Sequence, residues 1–142
     1  MRQEQNLTVE VPNFDPNNGN EKAMFLFILE APGPKAVKSG IISTDNPDPS
    51  ARNFKAQLSE AGIEQSQIAI WNIVPWYIGN KERTKIRASK REDIEKGREY
   101  AKLISLNMPN LKAIVLVGGA ARRSHVFFCL FFTSDAGDAP LC

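Results

Sequence analysis

Cysteine and histidine are scarce in this chain of 142 residues, which holds only Cys129, Cys142 and His125. The two cysteines form neither a CxxC nor any metal-ligand spacing, so no metal and no other cofactor is expected. Reduced thiols in a cytoplasmic chain are the default. No apolar run is long enough to cross a bilayer, and no basic, apolar, small-residue leader opens the chain, so no membrane partner is expected. An excess of one charge is also missing: 18 Lys+Arg against 16 Asp+Glu leave +2, too little to imply a partner by itself. The glycines form no phosphate loop, because Gly118-Gly119-Ala120-Ala121 has neither GxxxxGK[ST] nor GxGxxG spacing. No Ser-His-Asp arrangement suggests itself, and His125, beside Val126 and Phe127, reads as a packed helix residue. There is no internal repeat.

What is present is enough apolar sequence for one core and enough length for one domain. Met24 to Leu29 is an unbroken apolar run. Such a run marks a strand buried on both faces, as in a parallel sheet between helices. It stops at Glu30-Ala31-Pro32-Gly33-Pro34, where the prolines cannot donate to a ladder. This leaves a carboxylate at the carboxyl end of a central strand, where open α/β sheets bind ligands.

Around that strand, residues 1–21 are polar and read as a flexible N-terminal arm, with a short strand at Leu7–Val11; residues 22–142 form the α/β domain. A long loop runs to Asp48, which caps a helix with Pro49 at its first position and Ala51, Phe54, Leu58 and Ala61 on one face. A strand at Ile68–Val74 and a basic loop, Lys81–Arg91, follow. Ser89 and Glu92 have capping-box spacing for the next helix, striped by Ile94, Gly97, Ala101, Ile104 and Met108. A third strand, Ala113–Val117, turns at Gly118-Gly119 into one last helix with phenylalanines on nearly every side. The alternation predicts a parallel sheet with right-handed crossovers. A further strand should follow, so the chain reads either as truncated at its C-terminal end or as having a tail that pairs loosely as the missing strand.

Three features converge on one edge of this sheet: Glu30 with its Pro-Gly loop, Asn72, and Gly118-Gly119. Asn72 is the polar residue in an otherwise apolar strand, and its amide has an acceptor and two donors in one plane, which suits an imide edge such as that of uracil. Its other reading is a cap on the turn before Pro75. Glu30 either activates a water or anchors the backbone of the loop that follows it. Phe54 either stacks on a base or packs in the core, and the loop holding Ile42 and Ser43 offers another stacking surface. The loop with Lys81, Arg83, Lys85, Arg87, Lys90 and Arg91 suits DNA phosphates or is a solvated charged face, and Arg122 and Arg123 are further phosphate candidates.

Glu30-Ala31-Pro32-Gly33 after a buried strand, Asn72 in Trp71-Asn72-Ile73-Val74-Pro75-Trp76, and Val115-Leu116-Val117-Gly118-Gly119 resemble the uracil-DNA glycosylase superfamily, from about Met24 to Phe132. The first segment is similar to the branch whose motif is Gly-Glu-Ala-Pro-Gly, with Leu29 in place of the first glycine. The resemblance implies a three-layer αβα sandwich around a four-stranded parallel sheet, here lacking the last strand. It implies a cofactor-free, monomeric DNA repair enzyme of the bacterial cytosol or nucleoid. That enzyme hydrolyses the N-glycosidic bond of uracil, or of a related damaged base, flipped out of DNA. Glu30 would hold and activate water, Asn72 would bind uracil, and Ala31, Pro32, Gly33, Ile42, Ser43 and Phe54 would surround the base.

There are departures. Ala31 stands where the classical branch has a water-activating Asp, the late His-Pro-Ser segment is absent, and the four cysteines of the iron-sulfur branch are two. Two other readings follow: a truncated or inactive member that at most binds nucleic acid, and a hydrolase of free nucleosides or nucleotides.

Overall fold

The structure, a computed structural model, describes residues 11–135, with side chains to residue 131. In chain order its elements are β1 (Asn13–Phe14), β2 (Phe25–Leu29), α1 (Pro34–Ser39), β3 (Ile41–Ile42), α2 (Pro49–Glu60), β4 (Ile68–Asn72), α3 (Arg91–Leu106), β5 (Ala113–Leu116), α4 (Gly118–Arg122) and α5 (His125–Asp135). Three strands form a parallel sheet in the order β4-β2-β5, and β1 pairs parallel with β3 in a separate ribbon. The fold is therefore α/β, with the apolar run of β2 in the middle of the sheet. Among the described residues no strand lies beyond β5, so three of the four implied strands are seen.

The order of strands decides where the helices go. The chain passes from β2 through α2 to β4, then returns across β2 through α3 to β5. Right-handed crossovers in opposite directions put α2 and α3 on opposite faces. Phe27 and its β4 partner Ile70 face α2, where Phe27 meets Phe54 edge-on at 5.1 Å between ring centroids. Ala69, one residue earlier on β4, faces Tyr100 and Ile104 of α3. The chain leaves the carboxyl ends of β2 and β4 toward opposite faces, and a crevice opens between the two departures.

Several expectations need correction. Residues 11–21 are not a free arm: Val11 is buried and Phe14 stacks on Trp71 at 5.0 Å. The Asp15 carboxylate, 1% exposed, accepts from Asn17 N at 2.9 Å and from the Ser43 hydroxyl. The polar composition that suggested solvent is spent on an Asx turn and on that buried bond. The strand expected at Leu7–Val11 lies outside the described residues except for Val11.

The long loop after β2 contains α1 and β3. Pro34 occupies the first helical position of α1, and Gly40 closes that helix in the left-handed region at φ 77°. Asp48 caps α2 as expected, its carboxylate accepting from Ala51 N at 2.8 Å. The expected capping box on α3 is displaced by one residue: Lys90 is the N-cap, and its N–H donates to Asp93 Oδ2 at 2.9 Å.

The single last helix is two, α4 and α5, separated at Arg123-Ser124. Two of its phenylalanines lie under cations of α3. Arg98 lies over the Phe127 ring at 4.6 Å and Lys102 over Phe131 at 4.7 Å, while Phe128 joins the core. Cys129 is disulfide-bonded, not the reduced thiol expected.

α3 meets the end of β4 at a glycine. A Cβ on Gly97 would stand 1.7 Å from Ile73 O, a backbone atom with nowhere to swing. Gly to Ala inside an open helix gains up to about 1 kcal/mol, but a clash with backbone in a packed core costs about 1–3 kcal/mol. Gly97→Ala should therefore lower the urea unfolding midpoint. A raised midpoint would mean that α3 is free to back away from the sheet.

Candidate active site

The crevice brings the two leading candidates together. Leu29 of β2 is in register with Asn72 of β4, and the ladder runs one step further through Ile73 N to Leu29 O at 2.7 Å and Val74 N to Glu30 O at 2.9 Å. Glu30 and Asn72 thus leave neighbouring strands side by side. Both line one cavity of about 640 Å³, within the range of small-molecule sites. Ala31, Pro32 and Gly33 line it from the turn after β2, Ile42 and Ser43 from β3 and its exit, and Phe54 from α2. Phe54 packs on Phe27 in the core and also lines the cavity.

Asn72 is 2% exposed, and its Nδ2 has no hydrogen-bond partner. Among the described residues, no side-chain bond ties it to the turn before Pro75. A buried donor left open costs about 1–3 kcal/mol, and the residue that carries it is one of those lining the cavity.

Glu30 is an anchor, but not to the loop that follows it. Its Oε1 accepts from Ser89 N at 3.0 Å and from Ser89 Oγ at 2.8 Å. Bonds to a carboxylate are the stronger kind, and they fix one oxygen at the entry to α3. Oε2 accepts no hydrogen bond from the described residues, so one oxygen positions the group and the other is open to a water.

The cavity wall is held equally firmly. Ser43 Oγ donates to Asp15 and accepts from Asp45 N at 3.0 Å, while Asn46 Nδ2 donates to Ile41 O at 3.0 Å. Ser89, Asp15, Lys35 and Asn46 were not singled out for the site from sequence. Asp15 and Ser89 belong to pairs joined across long stretches of chain, and nothing local announces such pairs. Lys35 lines the cavity from α1 and becomes visible once Pro34 is read as a helix start rather than a loop.

The family model described as the uracil DNA glycosylase superfamily matches residues 16–137. The chain belongs to the uracil DNA glycosylase superfamily. The matched span includes both Glu30 and Asn72 and every element from β2 onward. No curated protein matches the chain. Membership in this glycosylase superfamily supports a glycosylase-type function and DNA as the substrate. Among the described residues, no group of His, Cys, Asp or Glu is placed to hold a metal ion, and no helix is long and apolar enough to cross a membrane.

The basic candidates stay outside the lining of the cavity. Lys81, Arg83, Lys85, Arg87, Arg122 and Arg123 are all exposed, and none lines the cavity. Arg87 grips Asp93 through both terminal nitrogens, at 2.7 and 3.2 Å, and Arg91 bonds Glu95 at 2.6 Å. A phosphate would have to compete with Asp93 for Arg87, whereas among the described residues no ion pair engages Lys81 or Lys85. His125 stands on α5, 3.3 Å from Cys129 Sγ and outside the cavity lining.

The hydrogen bond from Arg87 holds the Asp93 carboxyl below the usual carboxylate range, against the opposing effect of partial burial. Because the folded-state value is depressed, this stabilisation is present above the ordinary carboxylate value. It is lost as pH falls through the depressed one. Asp93→Asn should cost about 0.5–1 kcal/mol at neutral pH, the helix cap included. Denaturant titrations should show that difference closing in strong acid; a gap that persists there would mean the charge on Asp93 is not what matters.

Proposed function

We propose that this chain is a DNA glycosylase that hydrolyses the N-glycosidic bond of uracil, or of a related damaged base, flipped from DNA into the cavity between β2 and β4. One observation carries the reading: an unpartnered, buried amide nitrogen on Asn72 beside a carboxylate, Glu30, that has one oxygen tied back and one open. Uracil presents an N–H next to a carbonyl oxygen. Asn72 Nδ2 donates to the carbonyl and Oδ1 accepts from the N–H, so the base closes the amide's open valence. Flipping costs a few kcal/mol, and these bonds together with contacts to Phe54 and Ile42 offset it.

As the bond between C1′ and the base lengthens, the electron pair leaves with the base and positive charge grows on the sugar. Donation from Asn72 strengthens as the base oxygen becomes anionic, so it stabilises the transition state more than the ground state. Glu30 Oε2 orients a water toward C1′ and takes its proton as the new C–O bond forms. The products are an abasic site and the free base. The membership of the chain in the superfamily supports this chemistry.

A second reading, a member that binds nucleic acid without cleaving it, is favoured by Ala31, which stands where the classical branch has a water-activating Asp. An oligonucleotide with a single uracil separates the two, since strand scission after alkali reports base release. On the first reading the chain releases uracil. On that reading Glu30→Gln loses about 10²–10⁴-fold in rate and Asn72→Ala about 10²–10³-fold. Asn72→Ala should also be at least as stable as the parent chain, because it removes a buried donor that the empty site leaves unbonded. Binding without release by the parent chain, or full activity in Asn72→Ala, would reject the proposal.

A further inference from the structure

Among the described residues, three charged side chains line the cavity between β2 and β4: Glu30, Lys35 and Asp48. Glu30 is tied to Ser89, and Asp48 is committed to the cap of α2. Lys35 has no such duty. Among the described residues no ion pair engages it, and it reaches solvent as well as the cavity. It occupies the second position of α1, in a first turn with no acidic residue, where a cation is mildly unfavourable. The fold alone gives no reason for an amine at this place.

The backbone beneath Lys35 is held on both sides. Val37, 5% exposed, packs into the protein, and its N–H donates to Gly33 O at 3.1 Å. Gly40 N donates to Ala36 O at 2.9 Å, and the Ser39 hydroxyl bonds Ala36 O at 3.2 Å and Ile41 O at 3.1 Å. The start of α1 is thereby fixed directly after the turn that follows Glu30. From that fixed point the long, flexible stem of a lysine gives its amine a wide reach.

Release of a base changes what the cavity holds. The abasic sugar opens to a chain whose C1′ is an aldehyde, and a primary amine beside a carbonyl carbon forms a Schiff base. We propose that Lys35 gives this chain a second activity, cleavage of the DNA strand at the abasic site. Lys35 Nζ, its proton given up to solvent, attacks C1′ and forms a C–N bond. The C1′ oxygen then leaves as water, and the product is an iminium. The iminium draws electrons from C2′, so a C2′ proton passes to Glu30 Oε2, which has returned its earlier proton to solvent. A double bond forms between C2′ and C3′, the C3′–O bond breaks, and the phosphate departs with its electron pair. Water hydrolyses the imine and returns the free amine and an unsaturated aldehyde on the broken strand. No oxidant or reductant is needed. The inference rests on the glycosylase reading, because the abasic site is the product of that reaction.

The experiment uses the full chain and two duplexes of one sequence, one with a uracil and one with a preformed abasic site. Sodium cyanoborohydride reduces an imine to a stable amine and so traps a covalent protein–DNA adduct. The parent chain should give that adduct with the abasic duplex, and without the reductant it should nick the strand with no alkali. Mass mapping should place the adduct on Lys35. Lys35→Ala and Lys35→Arg should each lose about tenfold or more of adduct and nick, since arginine keeps the charge but not the nucleophile. No adduct from the parent chain, an adduct on another amine, or equal yields from the variants would overturn the proposal. The uracil duplex keeps the two readings apart. An adduct on the abasic duplex without release of uracil supports the role of Lys35 and overturns the glycosylase reading. Release of uracil in which every nick requires alkali does the reverse.

Discussion

The site is organised by an interaction that the protein leaves unmade. Asn72 closes a strand in which every residue is buried, yet its amide nitrogen bonds nothing. Folded proteins satisfy the great majority of their buried polar groups, and filling this position with an aliphatic residue would be the cheaper way to build a core strand. Asn72 is also one of the residues lining a cavity formed with the turn after β2, β3 and α2. A ligand with an acceptor at that point recovers free energy that the empty protein has forgone.

Topology brings the carboxylate to the same place. The reversal of strand order around β2 opens a crevice between the carboxyl ends of β2 and β4, where Glu30 directly follows β2 and Asn72 is the last residue of β4. A second constraint then sets the orientation of Glu30. Ser89, immediately before the N-cap of α3, holds one carboxylate oxygen with two hydrogen bonds. That bond ties the end of β2 to the chain just past residues 79–87, which the Gly79–Ile86 bridge closes into a hairpin, so Glu30 and that hairpin share a single support. On the other wall, the Asp15 carboxylate does similar work by gripping Ser43.

Much of this was legible in the chain. An apolar run without alternation identified β2, and its abrupt stop at Glu30-Ala31-Pro32 placed a carboxylate at a strand end. Asn72 stood out because a polar residue in a buried strand needs a reason. Asp48-Pro49 announced α2 because cap and first-turn chemistry are local. What was not legible is what depends on distant chain. Ser89 looked like a helix cap, and its real partner lies 59 residues earlier. Asp15 looked like part of a solvated arm, because polarity does not distinguish a carboxylate in water from one buried on Ser43, 28 residues away. α1 was read as loop because prolines and glycines punctuate both turns and helix ends. The break between α4 and α5 falls at Arg123-Ser124, in a stretch with no Gly or Pro to announce it.

The most direct test follows the side-chain amide of Asn72 itself. Its NH₂ resonances, assigned by their disappearance in an Asn72→Asp variant, can be tracked while free uracil is titrated into the protein. If the open amide exists to pair with an imide edge, those resonances shift and saturate with uracil and stay in place with 3-methyluracil, whose N–H is blocked. Resonances that ignore uracil, or that respond equally to both compounds, would contradict the assignment of this cavity as a base pocket.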